Sequence, residues 1–114
     1  MSAFEAELLR LSSIHGVRGA MVVDLQAGVP VASELSGDVD GVAVAALAAS
    51  LFQRSRSAVQ APALGELRTA RLESEAAQLI MVASGELIVV VVAEANAQIG
   101  MVRVEAKGIA EGLT

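Results

Sequence analysis

The side chains in this sequence that could do chemistry are few and scattered. His15 is the only histidine and there is no cysteine. A lone imidazole has no partner ligand with which to hold a metal, and no nucleophile is placed for it to activate. Its position before Gly16 suits the end of a helix instead. There a histidine faces the negative end of the helix dipole and glycine takes the left-handed C′ position. Asp24 closes an apolar run, where its carboxylate can bond the backbone N–H groups of a following turn. Asp38 and Asp40 are close enough to suggest a cation site, but the further oxygen ligands and turn glycine of a calcium loop are missing. They read as candidate N-caps, together with Ser36. Gly16, Gly19 and Gly28 mark turns and strand ends rather than a phosphate-binding loop. Arg54 and Arg56 are guanidinium groups on one helix, able to meet an acidic surface or to act as an arginine finger; solvated side chains or ion pairs between subunits are the plainer reading. No constellation points to catalysis or to a cofactor, so a non-enzymatic protein is expected.

Composition narrows the partners. The formal charge is −5, with no basic cluster and no stacking aromatics, which argues against nucleic acid or an anionic membrane. Of the 114 residues, 54% are hydrophobic yet only two are aromatic, both Phe, so the core must be aliphatic. That apolar share is high for one soluble domain and suggests surface buried in an oligomer. The longest strongly apolar run, Leu87 to Ala93, is far short of the roughly 20 residues that span a bilayer. With no signal-peptide pattern and no cysteine, a cytoplasmic protein is expected, with one domain over 1–114.

The elements follow from period and punctuation. Ser2 and Glu5 have capping-box spacing, and Phe4, Leu8 and Leu11 give a helical stripe running to about Ile14. Val17 to Leu25 and Val29 to Leu35 read as a hairpin turning at Gln26-Ala27-Gly28, with Pro30 placing the second strand at a sheet edge. Asp38 to Gln60 is a long helix, stopped by Pro62 and Gly65. Glu66 to Glu73 mixes polar and apolar residues on both sides and reads as an edge strand. Gln78 to Ala83 and Leu87 to Ala93 follow as strands, the latter an unbroken β-branched run that belongs at the sheet centre with both faces covered. Asn96 opens a last helix with Ile99, Val102, Ala106, Ile109 and Leu113 inward. Gly100, Gly108 and Gly112 weaken it, and close packing on a neighbour would explain them.

The long helix is apolar on too much of its circumference. Val44, Leu47, Ala48, Leu51, Phe52, Ser55, Ala58 and Val59 share a bulky face suited to the core. Val42, Ala45, Ala46, Ala49, Ser50 and Gln53 form a small, nearly uncharged face where a solvated helix would carry Lys and Glu. Small residues let two helices approach closely, so this second face predicts a helix-on-helix contact.

The element order predicts an α+β fold, α-β-β-α-β-β-β-α, with a five-stranded antiparallel sheet in the order 2-1-5-4-3. The long helix should lie on one face and the terminal helices on the other. With that layout and the segments GVRGAMVVDLQAGVPVASE, VAALAASLFQRS, ELRTARLES and LIVVVVAEANAQIGMVR, the sequence resembles the roadblock family of dynein light chains and their prokaryotic relatives. The resemblance implies a dimer in which the long helices pack antiparallel and the strands after them pair into one continuous sheet. It also implies a platform for a Ras-like small GTPase; the prokaryotic relatives include activators of the GTPase that controls polarity and gliding. Carried to this chain, it places a homodimer interface on Val42, Ala45, Ala46, Ala49, Ser50 and Gln53 and on Glu66, Leu67, Arg68, Thr69, Ala70, Arg71 and Leu72. On that reading Ala49→Arg should split the dimer, while Arg54, Arg56 and Ser57 are candidates for meeting a third partner. A small-molecule sensor or scaffold of PAS or profilin-like type shares the layout and would require an internal cavity.

Overall fold

The computed structural model describes residues 3–113. Ser2, and with it the expected capping box, lies outside them. The chain runs α1 (Ala3–Ser12), β1 (Val17–Asp24), β2 (Val29–Leu35), α2 (Gly41–Gln60), β3 (Thr69–Glu73), β4 (Ala77–Ser84), β5 (Leu87–Glu94) and α3 (Ile99–Gly112). The strands form one antiparallel sheet in the order β2-β1-β5-β4-β3, as the element order predicts. β5 is central, and its side chains alternate between two cores. Val89 and Val91 pack with Leu8, Leu11, Val102, Ala106 and Ile109 under α1 and α3. Ile88, Val90 and Val92 pack with Ala45, Ala48, Ala49 and Phe52 under α2.

Both sheet edges are strands that the sequence marks as edges. β2 carries Pro30 opposite Val23, and the register slips between Val22 and Val23 because Val31 is an extra residue on β2, a bulge. β3 pairs only with β4 and leaves its other side open. It is shorter than the sequence suggests, since 66–68 precede it as an irregular approach, although Ala83 N still donates to Arg68 O at 2.9 Å.

Asp40 caps α2, its Oδ1 accepting from Ala43 N at 3.1 Å, while Asp38 pairs with Arg18. α1 ends at Ser12 rather than near Ile14. The Ser12 hydroxyl donates to Leu8 O at 2.8 Å and to Glu34 O at 3.1 Å, tying the helix end to β2. Gly16 has the positive φ expected of it (89°), but at the approach to β1 rather than at the helix C-cap.

α3 begins at Ile99 and not at Asn96, because 95–98 form a turn in which Ala97 N donates to Glu94 O at 3.0 Å. The close neighbours expected for its glycines are absent. Among the described residues, a β-carbon added at Gly100, Gly108 or Gly112 would meet no non-local atom within 4 Å. These residues weaken the helix with no compensating contact, so Gly108→Ala should stabilise the protein by about 0.5–1 kcal/mol, read as a raised melting temperature at fixed protein concentration.

Candidate functional site

The candidate interface residues on α2 fall into two groups. Ala45 (0% exposed) and Ala49 (4%) are buried against the sheet with Ala48 and Phe52, so they do not lie on the outward face expected for them. Val42, Ala46 and Ser50 do face outward, and Gln53 is half-buried. Leu47, expected in the core, is 47% exposed beside them. Leu51 and Ser55 are half-buried, and Ala58 is exposed. The buried stripe is therefore turned toward the small residues. The physical reason lies in the sheet, which already supplies Met21, Val23, Met81, Val90 and Ile88 on this face, so that alanines let the helix backbone come close. Bulk on the helix side comes mainly from Phe52.

The turn between β1 and β2 braces this arrangement. Asp24 Oδ1 accepts from Gln26 N at 3.0 Å and Ala27 N at 2.9 Å, the turn role its position suggests. Gly28 (φ 71°) brings the turn so near α2 that a β-carbon there would lie 3.8 Å from Ala46 Cα and Ala49 Cβ. Gln53 Nε2 donates to Leu25 O at 2.6 Å, closing the link. An arginine at Ala49 would break the protomer itself, so Ala49→Arg no longer tests an interface.

Along β3 and its approach, Leu67 and Ala70 join the apolar cluster beneath α2. Glu66, Arg68, Arg71 and Leu72 are exposed and Thr69 is half-buried. Arg71 is held in place: Nε donates to Gln78 Oε1 at 2.9 Å and Nη2 lies 3.3 Å from Glu73 Oε1. Gln78 is 1% exposed, and its Nε2 donates to Glu94 O and Ala95 O, each at 3.1 Å. Sequence reasoning missed this anchor, although one glutamine heading the apolar run QLIMVA was a usable signal. Arg54 and Ser57 are exposed and Arg56 half-buried; neither arginine makes an ion pair among the described residues. His15 is exposed in the turn before β1.

A sensor would need an enclosed cavity. The larger depression, about 450 Å³, is an open groove between the start of β3 and the end of α3, lined in part by Arg68, Ser84 and Lys107. The smaller, about 250 Å³, is the open cleft between the β1–β2 turn and α2. Among the described residues no group of three or more His, Asp or Glu side chains could hold a metal ion, and no helix is long and apolar enough to cross a membrane.

Comparison with known proteins agrees with the layout. The chain is 35% identical over 104 residues to the protein MJ1340 of Methanocaldococcus jannaschii, an alignment covering 91% of this chain and 90% of that one. Among solved structures, a Roadblock/LC7 domain from Streptomyces avermitilis superposes with a TM-score of 0.87 at 17% identity, covering 98% of this chain and 95% of the other. Myxococcus xanthus MglB superposes with a TM-score of 0.83 at 20% identity, covering 99% and 95%. At these identities the superpositions speak to the fold. The Roadblock/LC7 domain profile matches residues 3–93, from the start of α1 to Ala93 in the central strand, and with that match the chain belongs to the Roadblock/LC7 domain family.

Proposed function

We propose that the protein is a non-enzymatic homodimeric platform that binds and regulates a Ras-like small GTPase. The observation that carries the reading is the conjunction of an open edge strand, β3, with an uncharged outward strip on α2 made of Val42, Ala46, Leu47 and Ser50. Val42 is 70% exposed in the protomer, and apolar surface of this kind on a helix next to an unpaired edge asks for cover. A second copy supplies both covers in one closed, two-fold assembly. Ala46→Arg should weaken that dimer at least about 100-fold, or about 2.7 kcal/mol, by placing charge in the helix contact. Light scattering should then show the 11.6 kDa of a single chain, with the circular dichroism spectrum unchanged. A variant that stays dimeric would remove α2 from the interface.

Support for the GTPase comes from family membership and from Arg54 and Arg56, which make no ion pair among the described residues, with Ser57, on the distal half of α2. These residues lie beyond the strip assigned to the dimer and leave it a second, charged surface. Titration against the Ras-like GTPases of the same genome in GDP-bound and GTP-analogue-bound forms tests the reading. Nucleotide-dependent binding that weakens in Arg54→Glu/Arg56→Glu is the expected result, and the absence of binding to every such GTPase would sink it. Whether hydrolysis accelerates in the complex then separates an activator from a localising partner.

A further inference from the structure

We infer that β3 selects its own copy in a single register, centred on Leu72, with Arg71 of each chain opposite Glu73 of the other; the inference rests on the homodimer reading above. The hydrogen bond from Ala83 N to Arg68 O fixes which backbone groups are free. Residues directly opposite in an antiparallel ladder alternate between bonded and non-bonded pairs. Arg68, Ala70 and Leu72 therefore turn their backbone groups toward β4, and Thr69, Arg71 and Glu73 turn theirs to the open edge. Side chains alternate as well. Ala70 faces α2, so Leu72, 39% exposed, shares that face, while Arg71 and Glu73 share the other.

Three antiparallel registers centred on Ala70, Arg71 or Leu72 bring outward backbone groups together. Centred on Arg71, the two guanidinium groups stand directly opposed, which is repulsive. Centred on Ala70, Leu72 of each strand faces the partner's Arg68, an apolar group against a charge. Centred on Leu72, the leucines meet each other at a non-bonded site, and Arg71 meets the partner's Glu73 on both sides of the two-fold axis. Every charge in the strand is then offset by one of opposite sign. The arginine is also placed in advance, because Gln78, with its own amide fully bonded, holds Nε at 2.9 Å. An arginine already fixed loses little freedom when the partner's carboxylate arrives.

The absence of native cysteine makes the test clean. Opposed residues at a non-bonded site have Cα atoms about 4.5 Å apart, within the range a disulfide spans. Leu72→Cys should therefore cross-link to a species of twice the chain mass under mild oxidation. Arg71→Cys should not, because its copy lies diagonally across the ladder. Charge reversal gives an independent arm. Arg71→Glu and Glu73→Arg should each weaken self-association about tenfold or more, whereas an equimolar mixture of the two should form a heterodimer near the native affinity. Cross-linking through Arg71→Cys but not Leu72→Cys, or a Glu73→Arg variant that dimerises normally, overturns the register and leaves the dimer standing. If neither cysteine variant cross-links while the native chain is dimeric, the Leu72 register is overturned, and Ala70→Cys then separates an Ala70-centred pairing, which would cross-link, from a dimer that does not use β3. A native chain that is monomeric at all concentrations overturns the dimer reading itself.

Discussion

Gly19→Val is expected to cost about 3 kcal/mol or more, enough to unfold a marginal domain of this size. Gly19 lies in β1 between β2 and the central β5, opposite Leu35 on one side and Val92 on the other. A β-carbon there would stand 2.7 Å from Leu35 Cα and Cδ2 and 2.8 Å from Glu34 O. Two of those three atoms are backbone of the paired strand and cannot swing aside. Relief requires pulling β2 away from β1, which breaks ladder bonds and exposes the α1 end tied to Glu34 by Ser12. The close approach is built by the bulge at Arg18, where Val17 pairs with Ala93 and Gly19 with Val92. Urea titration at fixed protein concentration measures the loss. A midpoint within 1 kcal/mol of native would mean that β2 yields easily and that its pairing contributes little.

Phe52→Ala should cost about 3–5 kcal/mol, the usual result of emptying a large buried site that cannot collapse. Phe52 is fully buried and is the largest side chain in the core beneath α2. Its helical neighbours in that core are Ala45, Ala48 and Ala49, which are already too short to move into the space. The sheet residues opposite, among them Met81 and Ile88, are fixed by ladders on both sides. Leu51→Ala, one residue away and half-buried, serves as the comparison and should cost about 1 kcal/mol in the protomer. Equal losses at the two positions would show that Phe52 does not hold the helix to the sheet.

The order of elements was legible in the sequence because the strand segments are short, mostly apolar and separated by turn residues such as Gly16, Gly28, Gly65, Ser74 and Gly85. The central place of Leu87 to Ala93 was legible for the same reason, since an unbroken apolar run has no side to give to water. The phase of α2 was not legible. Alanines and aliphatic residues cover most of its circumference, so periodicity identifies a helix without choosing which stripe meets the sheet; the bulk already present on the sheet chooses it. Phe52 was placed inward correctly, whereas Ala45 and Ala49 were placed outward and Leu47 inward. The bulges at Arg18 and Val31 were invisible because they depend on how two strands fit, not on either alone. The role of Gln78 was illegible for a similar reason, as its three partners, Arg71, Glu94 and Ala95, come from two segments on opposite sides of β4. The glycines of α3 were read as packing sites, yet they face open space in the protomer.

The two edges of the sheet are not equivalent, and the difference governs growth. If β2 of one copy could add to β3 of the next, each addition would expose a fresh edge and the chain would polymerise without limit. Pro30 removes a backbone donor from β2 and the bulge at Val31 bends it out of register, so that edge makes a poor template. Only β3 remains, and an edge that can pair only with itself is used up after one encounter. In the dimer proposed above, the proline on one side of the sheet would thus set the stoichiometry on the other, favouring a closed particle of two over a filament.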